Sequence, residues 1–66
     1  MKNFIADFRK ARGLTQQALA EALNVSYTQI QGWEHGRRTP SLETAIRLSR
    51  ALNVSVEELF VLDNTI

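Results

Sequence analysis

One pentapeptide occurs twice in the chain, as Ala22-Leu23-Asn24-Val25-Ser26 and again as Ala51-Leu52-Asn53-Val54-Ser55. It constrains the fold more than any other feature, because each of its positions suits a sharp reversal between helices. The leucine closes an apolar helical stripe. Asparagine takes the left-handed stop that it tolerates better than most residues. The valine packs back on the core, and the serine hydroxyl caps the next helix. Gln29 and Glu58, each three residues beyond its serine, complete capping boxes. Two such reversals in 66 residues fit one turn solution used twice within a single domain, 1–66, with a core at about 3–62 and a short tail at 63–66.

The remaining punctuation sets five helices. Gly13 ends a first helix of about Asn3 to Arg12, and Thr15 caps a second running to Leu23. Ser26 opens a third that Gly36 stops; Arg37 to Pro40 form a loop, Ser41 starts a fourth helix, and Ser55 a fifth through about Leu62. Apolar residues recur at helical spacing (Ile5 and Phe8; Leu19 and Leu23; Ile30 and Trp33; Leu42, Ala45 and Leu52). Alternating β-branched residues are scarce, so strands are not expected. The fold class is therefore all-α and compact. With no cysteine, stability has to come from helix packing or from a second subunit. No apolar run approaches the roughly 20 residues of a membrane span, and Asp7 interrupts an amino terminus that lacks a signal peptide's apolar core. A soluble, cytoplasmic protein with no membrane contact is expected.

The net charge of +1 conceals an asymmetry. Residues 1–40 carry six basic against three acidic side chains, and residues 41–66 two against four. Such a basic front suits a protein that turns one face to a polyanion. The second and third helices, joined by Asn24-Val25-Ser26, are the informative pair. Ala20 allows their close approach, and Val25, Ile30 and Trp33 face inward to lock the angle, which is a helix-turn-helix layout. At about 100° per residue, the opposite side of the third helix carries Tyr27, Thr28, Gln31 and Gly32. A short polar face without charge fits the reading of base edges better than mere solvation. Gln31 can pair with adenine, and Thr28 can bond a base edge or pack on a thymine methyl. Gly32 costs the helix about 1 kcal/mol against alanine, which a close approach to the DNA backbone or to the first helix would explain. Arg37 and Arg38 lie in the loop beside this face and are expected on phosphates, with Gln17, Ser26 and Lys10 as further backbone contacts.

Catalytic and metal chemistry find little to work with. His35 is the sole histidine, sits at a helix end and reads as a cap. Neither a second histidine nor a cysteine completes a zinc site. The serines serve as caps or core spacers, and there is no glycine-rich phosphate loop. No enzyme activity, cofactor, metal or small-molecule ligand is expected.

From Arg9 through Gly36 and on to Leu59, the ordered set G-L-T-Q, L-A, V-S, I, W-E-x-G and P-S-L-E resembles the phage repressor and Cro-like, XRE-type helix-turn-helix regulators. The resemblance implies a five-helix lambda-repressor-like DNA-binding domain with the helix-turn-helix at helices two and three. It implies a transcriptional regulator, a repressor, encoded by a bacterium or phage and held at the nucleoid by its DNA. It also implies roles: Gln16 on a phosphate; Tyr27, Thr28, Gln31 and Gly32 facing bases from a recognition helix of about Tyr27 to His35 in the major groove; Arg9 and Glu34 as an ion pair between helices one and three. Two residues depart from the pattern. Asn24 stands where glycine is usual, and Gly32 removes a side chain that often reads a base, which implies modest sequence readout.

One small domain offers few DNA contacts, so a homodimer on an inverted repeat, with half-sites about 34 Å apart, is expected. The candidate dimer surface is Val56, Leu59, Phe60, Val61, Leu62 and Ile66; in the alternative, Leu59 and Phe60 complete the core. The rival function is a protein-binding module of the same fold, such as an antitoxin or adaptor. A toxin-binding extension would then be expected, and Asn64-Thr65-Ile66 supplies almost none.

Overall fold

Both copies of the pentapeptide build the same turn. In the protein's structure, a computed structural model that describes residues 1–62, Asn24 and Asn53 adopt φ of 56° and 57°. The Val25 N–H donates to the Ala20 carbonyl (3.0 Å) and the Val54 N–H to that of Ser49 (3.0 Å). These are the long bonds that close a helix over a left-handed residue. Ser26 and Ser55 then accept from the backbone N–H groups of Gln29 and Glu58, whose side chains accept in return. Each cap of this kind contributes about 1 kcal/mol. Glu58 is held below the ordinary glutamate range by its hydrogen bonds with Ser55, the backbone bond foremost.

The elements run in the order β1 (Lys2–Asn3), α1 (Ile5–Ala11), α2 (Gln16–Leu23), α3 (Tyr27–Glu34), α4 (Leu42–Leu52), α5 (Val56–Leu59) and β2 (Phe60–Val61). Thr15 and Ser41 cap α2 and α4 as their positions predict. Ile5, Leu19, Ala20, Leu23, Ile30, Trp33, Leu48, Leu52 and Leu59 form one core, with Phe8, Leu14, Val25, Val54 and Phe60 packed around it. The five-helix, all-α class stands.

Two boundaries and one absence need correction. Strands are present: β1 and β2 pair antiparallel, Lys2 with Val61 and Asn3 with Phe60. The fifth helix consequently ends at Leu59 instead of near Leu62, and the first starts at Ile5 instead of Asn3. Phe60 and Val61 are of the aromatic and β-branched types that favour an extended, half-buried setting. Lys2 and Asn3 supply the backbone partners, and the Phe4 N–H adds a bond to the Leu59 carbonyl (2.8 Å). Asn3 also reaches α3, its Nδ2 donating to the Trp33 carbonyl (3.0 Å). The ribbon thereby clips the beginning of the chain onto the end of α3. Leu42, expected on the buried stripe of the fourth helix, is 74% exposed, because its position in the first turn of α4 precedes the first core contact, Ala45.

Candidate nucleic-acid interface

What seats α3 is a buried polar junction among three helices. Arg9 on α1 meets Glu34 at the end of α3 through two bonds, Nε to Oε2 at 2.6 Å and a terminal guanidinium nitrogen to Oε1 at 3.2 Å. A third nitrogen of Arg9 donates to the Leu14 carbonyl (2.8 Å). Gln16, on the first turn of α2, donates its Nε2 to Glu34 Oε1 (2.8 Å). The Arg9 and Glu34 side chains are only 9% and 5% exposed. Burial on its own raises the Glu34 proton affinity, but the hydrogen bonds from Arg9 and Gln16, with the positive charges of Arg9 and Lys10, outweigh it. The carboxyl is held below its ordinary value. The sequence expected the Arg9–Glu34 pair; that Gln16 joins it was not legible, because glutamine at the start of a helix reads equally well as a free surface group.

From this seat α3 turns Ile30 and Trp33 into the core and leaves Tyr27 and Thr28 exposed and Gln31 half-buried. Gln31 donates its Nε2 to the Tyr27 hydroxyl (3.0 Å), one turn away, so two of the four polar-face residues are already tied together. The Thr28 hydroxyl has no hydrogen bond among the described residues. His35 is the carboxyl-terminal cap, its Nδ1 2.8 Å from the Gln31 carbonyl. A carbonyl only accepts, so that nitrogen carries the ring proton.

Gly32 is buried, which the sequence did not anticipate. The atoms nearest the place of its missing side chain belong to the loop after α3 and not to the first helix. A Cβ placed on Gly32 would lie 3.5, 3.6 and 3.7 Å from Cδ, Cγ and Cβ of Arg38. The Arg37 and Arg38 N–H groups both donate to the Gly32 carbonyl (2.9 and 3.2 Å). The loop after α3 therefore folds back along the helix. Arg37 and Arg38 are exposed, and neither guanidinium has a partner among the described residues. Lys10 is also exposed, Gln17 bonds Glu21 (3.4 Å), and the Ser26 hydroxyl is occupied as a cap.

The geometry is a small buried residue, Ala20, in the core that α2 and α3 share, a three-residue reversal, and an outward polar strip followed by exposed loop arginines with no partner among the described residues. The helix-turn-helix family profile matches residues 5–59. The chain belongs to the helix-turn-helix family. This helix-turn-helix chain is 44% identical, over 96% of its length and 93% of the relative's, to an HTH-type transcriptional regulator of Methanothermobacter thermautotrophicus. It is 32% identical to the cryptic phage CTXphi transcriptional repressor RstR of Vibrio cholerae, over 89% of this chain and 53% of that protein. Among solved structures, the restriction-modification controller protein C.AhdI of Aeromonas hydrophila superposes with a TM-score of 0.78 at 34% identity, covering 85% of both chains. The protein is thus a transcriptional regulator with a helix-turn-helix DNA-binding domain, and double-stranded DNA is its partner. The family is one of regulators, not of enzymes. Among the described residues no helix is long and apolar enough to cross a membrane.

The candidate dimer residues divide. Leu59 is fully buried and belongs to the core, so it is withdrawn from any surface. Val56 and Phe60 are half-buried, Val61 and Leu62 are 41% and 71% exposed, and Ile66 lies outside the described residues. Leu42 and Ile46, one turn apart on α4, are 74% and 39% exposed; the sequence placed Leu42 on the buried stripe and assigned Ile46 no role.

Proposed function

We propose that this helix-turn-helix regulator is a repressor that binds an inverted-repeat operator as a homodimer, with Tyr27 to His35 docked in the major groove. The observation that carries this reading is the uncharged strip Tyr27–Thr28–Gln31, held on a helix locked by the Arg9–Glu34–Gln16 junction and bordered by two exposed arginines that are unpaired among the described residues. Tyr27, Thr28 and Gln31 meet base edges, and Gly32, between them and the loop, seats the Arg38 stem on the same face. Arg38 lies on the same DNA-facing side, and Arg37, Lys10, Gln17 and Ser26 serve the sugar-phosphate backbone. Gln16 joins them with the second N–H of its amide, the first being spent on Glu34. Each phosphate neutralised steepens the loss of affinity with salt. Exposed Leu42, Ile46, Val61 and Leu62 supply apolar surface for a second protomer, and the likeness to a phage repressor supports the direction of regulation.

Selection of bound duplexes from a random pool at low ionic strength tests the reading directly. It should return a two-fold symmetric site with half-site centres about 34 Å apart, and sedimentation should find two protomers on it. A promoter carrying that site should fall silent when the protein is expressed. Failure to associate with any duplex would remove the DNA-reading assignment and leave the protein-binding use of the fold. One protomer on an asymmetric site would remove the dimer, and a rise in transcription would remove the repressor role.

A further inference from the structure

Position 32 stands one turn after Thr28 on the strip that faces outward, yet it carries no side chain of its own and is buried. The stem of Arg38 fills that place. Its Cβ, Cγ and Cδ run across the glycine at 3.7, 3.6 and 3.5 Å from where a Cβ would stand, so the chain lies along the helix as far as the atom that carries the guanidinium. Its root is fixed as well, because the Arg37 and Arg38 N–H groups share the Gly32 carbonyl. The guanidinium at the end of this anchored stem has no hydrogen bond or ion pair among the described residues. Arg37 has the same charge and is exposed as well, but the three atoms nearest that place all belong to Arg38.

We propose that Arg38 is a base-reading residue of this protein: lying in the trough left by Gly32, it presents its guanidinium to the O6 and N7 acceptors of a guanine, next to the base pair read by Thr28. The inference rests on the docking of α3 proposed above. An arginine fork matches the two guanine acceptors of the major groove and no other base so well. Ordering a free arginine costs side-chain entropy on binding, and a stem already laid along a helix has less of it to lose. Gly32 therefore does not leave the helix short of a reading group; it makes room for one delivered from the loop. Arg37, without that seat, remains a phosphate contact.

The test compares Arg38→Ala, Arg38→Met and Arg37→Ala with the wild type by selection from a random duplex pool, followed by titration of the wild-type site and its single-base variants. Arg38→Met keeps the apolar stem on Gly32 and removes only the fork, and circular dichroism confirms that each variant is folded. Both Arg38 variants should lose a preference for guanine at one position of each half-site, a fall of roughly 5- to 150-fold in discrimination there, with the other positions unchanged. Arg37→Ala should weaken all sequences alike and lower the salt slope by about one. If Arg38→Ala and Arg38→Met also weaken every sequence equally, Arg38 is a phosphate contact and the inference fails while the docking of α3 stands. If the wild type selects no site at all, the docking itself fails and takes this inference with it.

Discussion

Glu34→Ala is the substitution from which the structure predicts most. The carboxylate accepts two bonds from Arg9 and one from Gln16, at 2.6, 3.2 and 2.8 Å, and both charged side chains are less than a tenth exposed. Its removal leaves the Arg9 guanidinium with only the Leu14 carbonyl and frees the Gln16 amide from its acceptor. Breaking one side of a buried pair in this way costs about 3–5 kcal/mol, more than the pair itself contributes. A 66-residue chain has about 3–10 kcal/mol of stability in total, so the loss is roughly three tenths of it at the least. Urea unfolding at pH 7, followed by circular dichroism, should show Glu34→Ala with a midpoint far below that of the wild type or with no native baseline. The double variant Arg9→Met/Glu34→Leu removes both charges while keeping their volume, and should return most of the loss. A cost below about 1 kcal/mol for Glu34→Ala would place the junction with solvent-screened surface pairs and refute the reasoning.

Three further outcomes follow from the same geometry. The folded-state proton affinity of Glu34 is depressed below the ordinary 4.5, so its contribution is fully present above that pH and is lost as pH falls through the lower folded value. Acid unfolding should therefore steepen below pH 4.5 in the wild type and flatten in Glu34→Gln; identical pH profiles for the two would contradict this. Gly32→Ala should raise stability by up to about 1 kcal/mol, or roughly 4–8 °C in thermal midpoint. The new methyl meets the Arg38 stem at ordinary contact distance, and a lowered midpoint would show that the trough is tighter than that. Asn24→Gly and Asn53→Gly should be close to neutral, whereas valine at either site should cost about 1–2 kcal/mol for a left-handed β-branched residue. Equal effects of glycine and valine in thermal melts would rule out the left-handed stop.

Most of what the sequence disclosed is local. The asparagine stops, the serine and threonine caps and both capping boxes depend on residues within a few positions of one another, and each is found where its pattern predicts. Trp33 and Ile30 point inward because a helix of eight residues leaves its periodicity little latitude. The ribbon was hidden for the opposite reason. Two-residue strands at Lys2–Asn3 and Phe60–Val61 have no periodicity to read, and their pairing is settled by how α1 and α5 dock. The same docking turned Leu59 from a surface candidate into a core residue. The seat of Arg38 on Gly32 was equally out of reach, since a loop arginine carries no sign of folding back along the preceding helix. Gln16 was seen as a first-turn polar group, and only the approach of α2 to the end of α3 gave it Glu34 as a partner.

The clip between Asn3, Phe60 and the Trp33 carbonyl joins positions far apart in the sequence. Its two sides meet only when the segment between them has folded, and closing so long a loop carries an entropic cost of several kcal/mol. The brace at the far end of α3 is thus cooperative with the whole domain. A change that frees either strand slackens α3 without touching any group on its outward strip.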